Sequence, residues 1–116
     1  MIYEIALLPV HSERVAMFRS AFAKVAPLLK RAKGYRGHFL AQGIETPQMF
    51  NLIVRWQSLE DHRPGFEASE DHQVFMEGLQ DYFTKEPTVY HIQGPAFSAA
   101  EDDDLSSDMT GLMAAG

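Results

Sequence analysis

The chain has 116 residues, 46% of them hydrophobic and 22% charged, with no cysteine and a net charge of −6. That length holds one compact domain, that balance excludes wholesale disorder, and the lack of cysteine excludes disulfide scaffolds, thiol catalysis and cysteine-built zinc sites. There is no bilayer-length apolar run, no basic leader-like start and no basic stripe for phosphates, so a cytoplasmic protein without membrane or nucleic-acid partners is expected.

Ile2–Val10 is an almost unbroken apolar run and reads as a central strand buried on both faces. Ser12 is the expected N-cap of a helix in which Val15, Phe18, Phe22, Val25 and Leu29 recur at steps of three and four. Pro27 predicts a kink or break near Val25–Ala26, and Gly34 supplies the stop. A second strand follows from about Tyr35 to Ile44, with Gly37 marking a bulge. The turn Glu45-Thr46-Pro47-Gln48 joins it to a third strand, Met49–Gln57, as an antiparallel hairpin.

Ser58 caps a short helical stretch that Pro64-Gly65 ends, and Ser69 caps a helix predicted over Glu70–Phe83. Pro87–Phe97 is the fourth strand, at an edge. The order βαββαβ predicts an α+β, ferredoxin-like fold with a four-stranded antiparallel sheet. Residues 1–97 form the expected domain. Residues 98–116 hold five of the 16 acidic residues and no Lys or Arg, and read as an acidic, disordered tail. In the third strand Phe50, Leu52, Val54 and Trp56 share one face and Ile53 lies on the other. Helices cover one face; a second copy of the chain is the economical cover for the other, which predicts a homodimer.

Several runs carry a family resemblance over residues 1 to about 97: Lys33-Gly34-Tyr35-Arg36-Gly37-His38, Ile44-Glu45-Thr46-Pro47, Leu52 to His62, Gly65-Phe66 with Ser69, and Pro87-Thr88-Val89-Tyr90-His91. The most distinctive is a strand ending in Trp56 followed by a Ser-capped helix. The chain resembles the antibiotic biosynthesis monooxygenase superfamily, whose domains are dimeric α/β barrels. The resemblance implies a cofactor-independent monooxygenase acting on a small aromatic, quinol- or anthrone-like molecule, with neither metal nor other cofactor. It also implies that Trp56 lines the cavity and that its indole N–H serves a developing oxyanion.

Such chemistry needs a base, and histidine titrates near neutrality. His38, within the second strand, and His72, on the helix face of Phe75 and Leu79, are the candidates. Tyr90 is an accessory donor, and Phe75, Leu52 and His62 complete the expected substrate pocket. The competing reading is a non-catalytic dimeric domain that binds a small ligand or serves as a stress or accessory factor.

Overall fold

The computed structural model describes residues 1–96, so Phe97 and the acidic tail lie outside it. Four strands, β1 (Ile2–Pro9), β2 (Tyr35–Gln42), β3 (Met49–Trp56) and β4 (Thr88–Gln93), form one antiparallel sheet in the order β2-β3-β1-β4. Two helices, α1 (Val15–Lys30) and α2 (Glu70–Glu77), complete the expected α+β, βαββαβ plan. No helix among the described residues is long and apolar enough to cross a membrane.

The helices bury one face of the sheet because two periodicities meet there. Helix α1 buries Phe18, Phe22, Val25, Ala26 and Leu29, and β3 buries every second residue from Phe50 to Trp56. The Phe18 ring packs 4.9 Å from that of Phe50. Gly37 marks a break in register between Tyr35 and His38, as a bulge requires. Ser58 Oγ accepts from the Asp61 amide at 3.2 Å, and Ser69 Oγ accepts from the His72 amide at 3.1 Å, so both predicted caps form.

Three local features differ from expectation. Ser12 does not cap α1: His11 precedes a short 3-10 turn, Ser12–Arg14, and α1 starts at Val15. Pro27 does not break α1, which continues to Lys30. The missing Pro27 N–H removes one helix bond, but Val25, Ala26 and Leu29 around it are buried in the core, and that packing holds the helix together. Helix α2 stops at Glu77 instead of Phe83. At Gly78 a Cβ would lie 2.8 Å from Val25 Cγ1, so only glycine permits this close passage of α1.

None of the described residues covers the other face of the sheet. The strand register aligns Phe39, Ile53, Ile5 and Tyr90 in one row across all four strands. Phe39 (58% exposed), Tyr90 (48%) and Ile92 (51%) leave this face apolar and open. Phe66 does not fold over it, since its ring is buried on the helix side, 5.9 Å from both Trp56 and Phe75.

Candidate functional site

The register places Glu4 of β1 opposite Val54 of β3 and His91 of β4, on the helix-facing side. Glu4 is 7% exposed, so its carboxyl group must find partners within the protein. Trp56, at the end of β3, donates its indole N–H to Glu4 Oε1 at 3.0 Å. His62 is 2% exposed and places Nε2 3.3 Å from the same oxygen. Its ring stacks on Trp56 at 5.1 Å, and its Nδ1 lies 2.7 Å from His91 Nε2. Both of these Glu4 contacts fall on Oε1.

The Ser58 cap turns the chain back over the sheet after Trp56, and the short turns Asp61–Gly65 and Phe66–Ala68 then lay His62 and Phe66 on the indole. Arg63 clamps Glu67 through two hydrogen bonds, at 2.8 and 2.9 Å. Glu67 Oε2 is 3.8 Å from His62 Nε2.

Burial pushes the Glu4 carboxyl up to about 7, against the lowering effect of the Trp56 hydrogen bond. Burial pushes His62 down to about 4, with Glu67 opposing it. His72 and His91 are also held below the usual histidine range by burial, and Glu67 is held below the carboxylate range by the Arg63 hydrogen bonds. At neutral pH the site therefore contains neutral histidines around an acid near its midpoint.

A cavity of about 190 Å³ opens beside this cluster. Glu4, Ala6 and Leu8 form its floor, His62 and Phe66 one side, and His72, Phe75 and Leu79 another. The cavity lies over β1 and β4, because Phe18 and Phe22 pack against Phe50 and Phe75 and fill the α1 side.

The predicted site residues divide into three groups. His72, His62, Phe75 and Leu52 line the cavity together. Trp56 stands behind Glu4 and is not part of the lining, and its only N–H is already donated. His38 and Tyr90 lie elsewhere. The His38 ring packs 5.8 Å from Phe22, with Nδ1 2.5 Å from Tyr35 Oη, so the aromatic core separates it from His72. Tyr90 alternates with His91 along β4 and therefore points to the open face, away from the cavity.

Glu4 is the residue that sequence reasoning missed, together with the contact that ties His91 to it. The available signal was a carboxylate inside an otherwise apolar central strand, which always needs a partner. Among the described residues no group of three or more His, Asp or Glu side chains is placed to hold a metal ion.

Residues 1–78 match the sequence profile of antibiotic biosynthesis monooxygenases. The chain belongs to the antibiotic biosynthesis monooxygenase family. The match takes in Glu4, Trp56, His62 and His72 but stops short of β4 and His91. The chain is also 36% identical to the uncharacterized protein YczJ of Bacillus subtilis, over 80% of this chain and 98% of that protein. Among solved structures, a family protein from Bordetella bronchiseptica superposes with a TM-score of 0.78 at 35% identity, covering 81% of this chain and 96% of its own. SnoaB, a cofactor-independent oxygenase from Streptomyces nogalater, superposes at 0.67 with 20% identity, covering 82% and 95%; this likeness is one of fold.

Proposed function

We propose that this family member is a cofactor-independent monooxygenase for a small, single-ring quinol, with Glu4 as the base. The observation that carries this reading is a buried carboxyl group, poised near neutrality, that lines a mainly apolar cavity and makes its Trp56 and His62 contacts through Oε1 alone. A fixed base beside an apolar wall suits removal of a phenolic proton, since the aromatic ring is stabilised by the wall while the hydroxyl meets Oε2.

The chemistry balances without an added reductant. Glu4 takes one hydroxyl proton, and the electron-rich phenolate supplies dioxygen with electrons. One oxygen atom joins the ring and the other leaves as water, all four electrons coming from the quinol. A dihydroxybenzene and dioxygen become water and a hydroxybenzoquinone. The hydroxybenzoquinone is acidic and leaves as its anion, so the proton stays on Glu4. His72, on the facing wall, is placed to orient the ring oxygens.

Cavity size narrows the substrate class. Ligand pockets for larger molecules run from about 300 Å³ upward, whereas about 150 Å³ of apolar space accepts benzene. A volume of about 190 Å³ fits one ring better than a fused three-ring anthrone. Oxygen-electrode assays with substituted hydroquinones and with anthrones test this directly. The expected result is enzyme-dependent uptake with hydroquinones, at one dioxygen per ring, and little with anthrones. The reading fails if no hydroquinone is consumed faster than it autoxidises.

The sheet face that the described residues leave uncovered supports a homodimer, because Phe39, Tyr90 and Ile92 form an apolar surface beside a groove of about 930 Å³. Sedimentation equilibrium is expected to give twice the 13.1 kDa chain mass, and a monomer at micromolar concentration contradicts it. A second functional reading, ligand binding without turnover, draws on the small cavity and on Trp56, whose N–H is not free for an oxyanion.

A further inference from the structure

The oxygenase reading leaves a proton on a carboxyl group that is 7% exposed, and that proton must leave before the next turnover. Two contacts lead away from it. His62 Nε2 lies 3.3 Å from Glu4 Oε1, and His62 Nδ1 lies 2.7 Å from His91 Nε2. His91 is half-buried on the edge strand β4 and therefore has access to water. We propose that His62 and His91 form the outlet through which the proton on Glu4 reaches solvent. The proposal rests on the oxygenase reading for its purpose, but its geometry stands independently.

The transfer is conservative in protons and charge. A half-turn of the carboxyl group about its Cγ–Cδ bond brings the oxygen that took the proton to the His62 side, where its hydroxyl donates to His62 Nε2 while His62 Nδ1–H donates to His91 Nε2. A concerted shift moves the carboxyl proton to His62 Nε2 and the Nδ1 proton to His91. Glu4 is again a carboxylate, His62 is neutral with its proton on Nε2, and His91 briefly carries the positive charge. His91 then loses its other ring proton to water, and proton exchange with solvent returns both imidazoles to their starting tautomers before the next transfer. His62 need never become an imidazolium, which suits its depressed basicity.

The groups around the chain favour this route over others. Trp56, on β3, can only donate and so takes no proton from Glu4. Glu67 approaches His62 Nε2 only to 3.8 Å, and both of its oxygens are engaged by Arg63. Arg63 is a fixed cation that discourages charge on His62 and helps His91 shed its proton. His72, on α2, sits on the far cavity wall with its ring against Phe66 and Phe75.

Two measurements test the outlet. In His91→Gln an amide still meets His62 Nδ1 but cannot hand a proton onward. With a hydroquinone substrate the variant is expected to complete its first turnover at the wild-type rate. Its steady-state kcat then falls about tenfold or more, KM stays unchanged, and added imidazole restores kcat. An unchanged kcat overturns the proposal, as does a loss that imidazole does not restore.

The second measurement needs no turnover and keeps the outlet testable if the oxygenase reading itself fails. In 15N-histidine spectra of the whole protein, His62 is expected to carry its proton on Nε2 while Glu4 is ionised. It should exchange that proton site for Nδ1 as Glu4 becomes protonated. A His62 tautomer that stays the same across the Glu4 titration overturns the outlet, whatever the activity.

Discussion

Replacing Glu4 with glutamine is expected to lower kcat/KM by about 100-fold or more and, at pH 8, to make the protein more stable. The two effects share one cause. Folding raises the Glu4 carboxyl from 4.5 to about 7, so the folded state favours the protonated form. The stability that this group contributes is therefore complete below pH 4.5 and is lost as the pH rises through 7. At about 1.4 kcal/mol per unit, the ionised carboxylate costs about 3 kcal/mol at pH 8, and the neutral amide of Glu4→Gln removes that cost.

His62 shapes the rest of the profile. Folding lowers it from 6.5 to about 4, so its contribution runs the other way, and stability grows as the pH rises from 4 to 6.5. In the wild type the Glu4 loss opposes the His62 gain between pH 4.5 and 6.5, and from 6.5 to about 7 only the Glu4 loss remains of these two. In Glu4→Gln the opposing Glu4 slope is gone, and the histidine slopes, those of His62, His72 and His91, all rise with pH. Urea unfolding at pH 4.5, 6.5 and 8 reads this pattern. A variant that is less stable than wild type at pH 8, or that retains full turnover, contradicts the role assigned to Glu4.

Trp56 provides the second large effect, and two substitutions separate its duties. Trp56→Ala removes a wholly buried indole that touches Tyr35, His62 and Phe66, and is expected to cost about 3 to 5 kcal/mol. Trp56→Phe keeps an aromatic ring on His62 and deletes only the N–H that Glu4 Oε1 accepts. That hydrogen bond favours the ionised carboxylate, so its loss raises the Glu4 midpoint further. The acid limb of the kcat/KM profile is then expected to move to higher pH in a protein that still folds. A limb that stays in place shows that the group titrating in catalysis is not Glu4.

Much of the fold was legible because its signals are local. The alternation Phe50, Leu52, Val54, Trp56 identified the inner face of β3, and Ser58 and Ser69 announced their caps through side-chain chemistry that acts within three residues. The misread features depend on distant neighbours. Pro27 stays helical because the core holds the residues around it, and Gly78, just past the end of α2, leaves room for Val25 of α1 against it.

The site was less legible for the same reason. Glu4 disappeared into a strand read as one apolar run, although a carboxylate there demands partners. Those partners come from β3, from the turn after it and from β4, and only the sheet register and the Ser58 turn bring Trp56, His62 and His91 to one carboxyl group. His62, His72, Phe75 and Leu52 all line the one cavity beside Glu4. Residue type could not separate His72 from His38, which has equally aromatic surroundings on the other side of Phe22 and Phe75.

The proposed chemistry requires a carboxyl group at position 4 that titrates near neutrality, and 13C NMR of the glutamate side chains measures it without a substrate. The Glu4 resonance is the one missing from the spectrum of Glu4→Gln. A midpoint near 7 is the predicted result. A midpoint near the ordinary 4.5 would mean a carboxylate permanently ionised at neutral pH, too weak a base for a phenol, and would contradict the proposed chemistry.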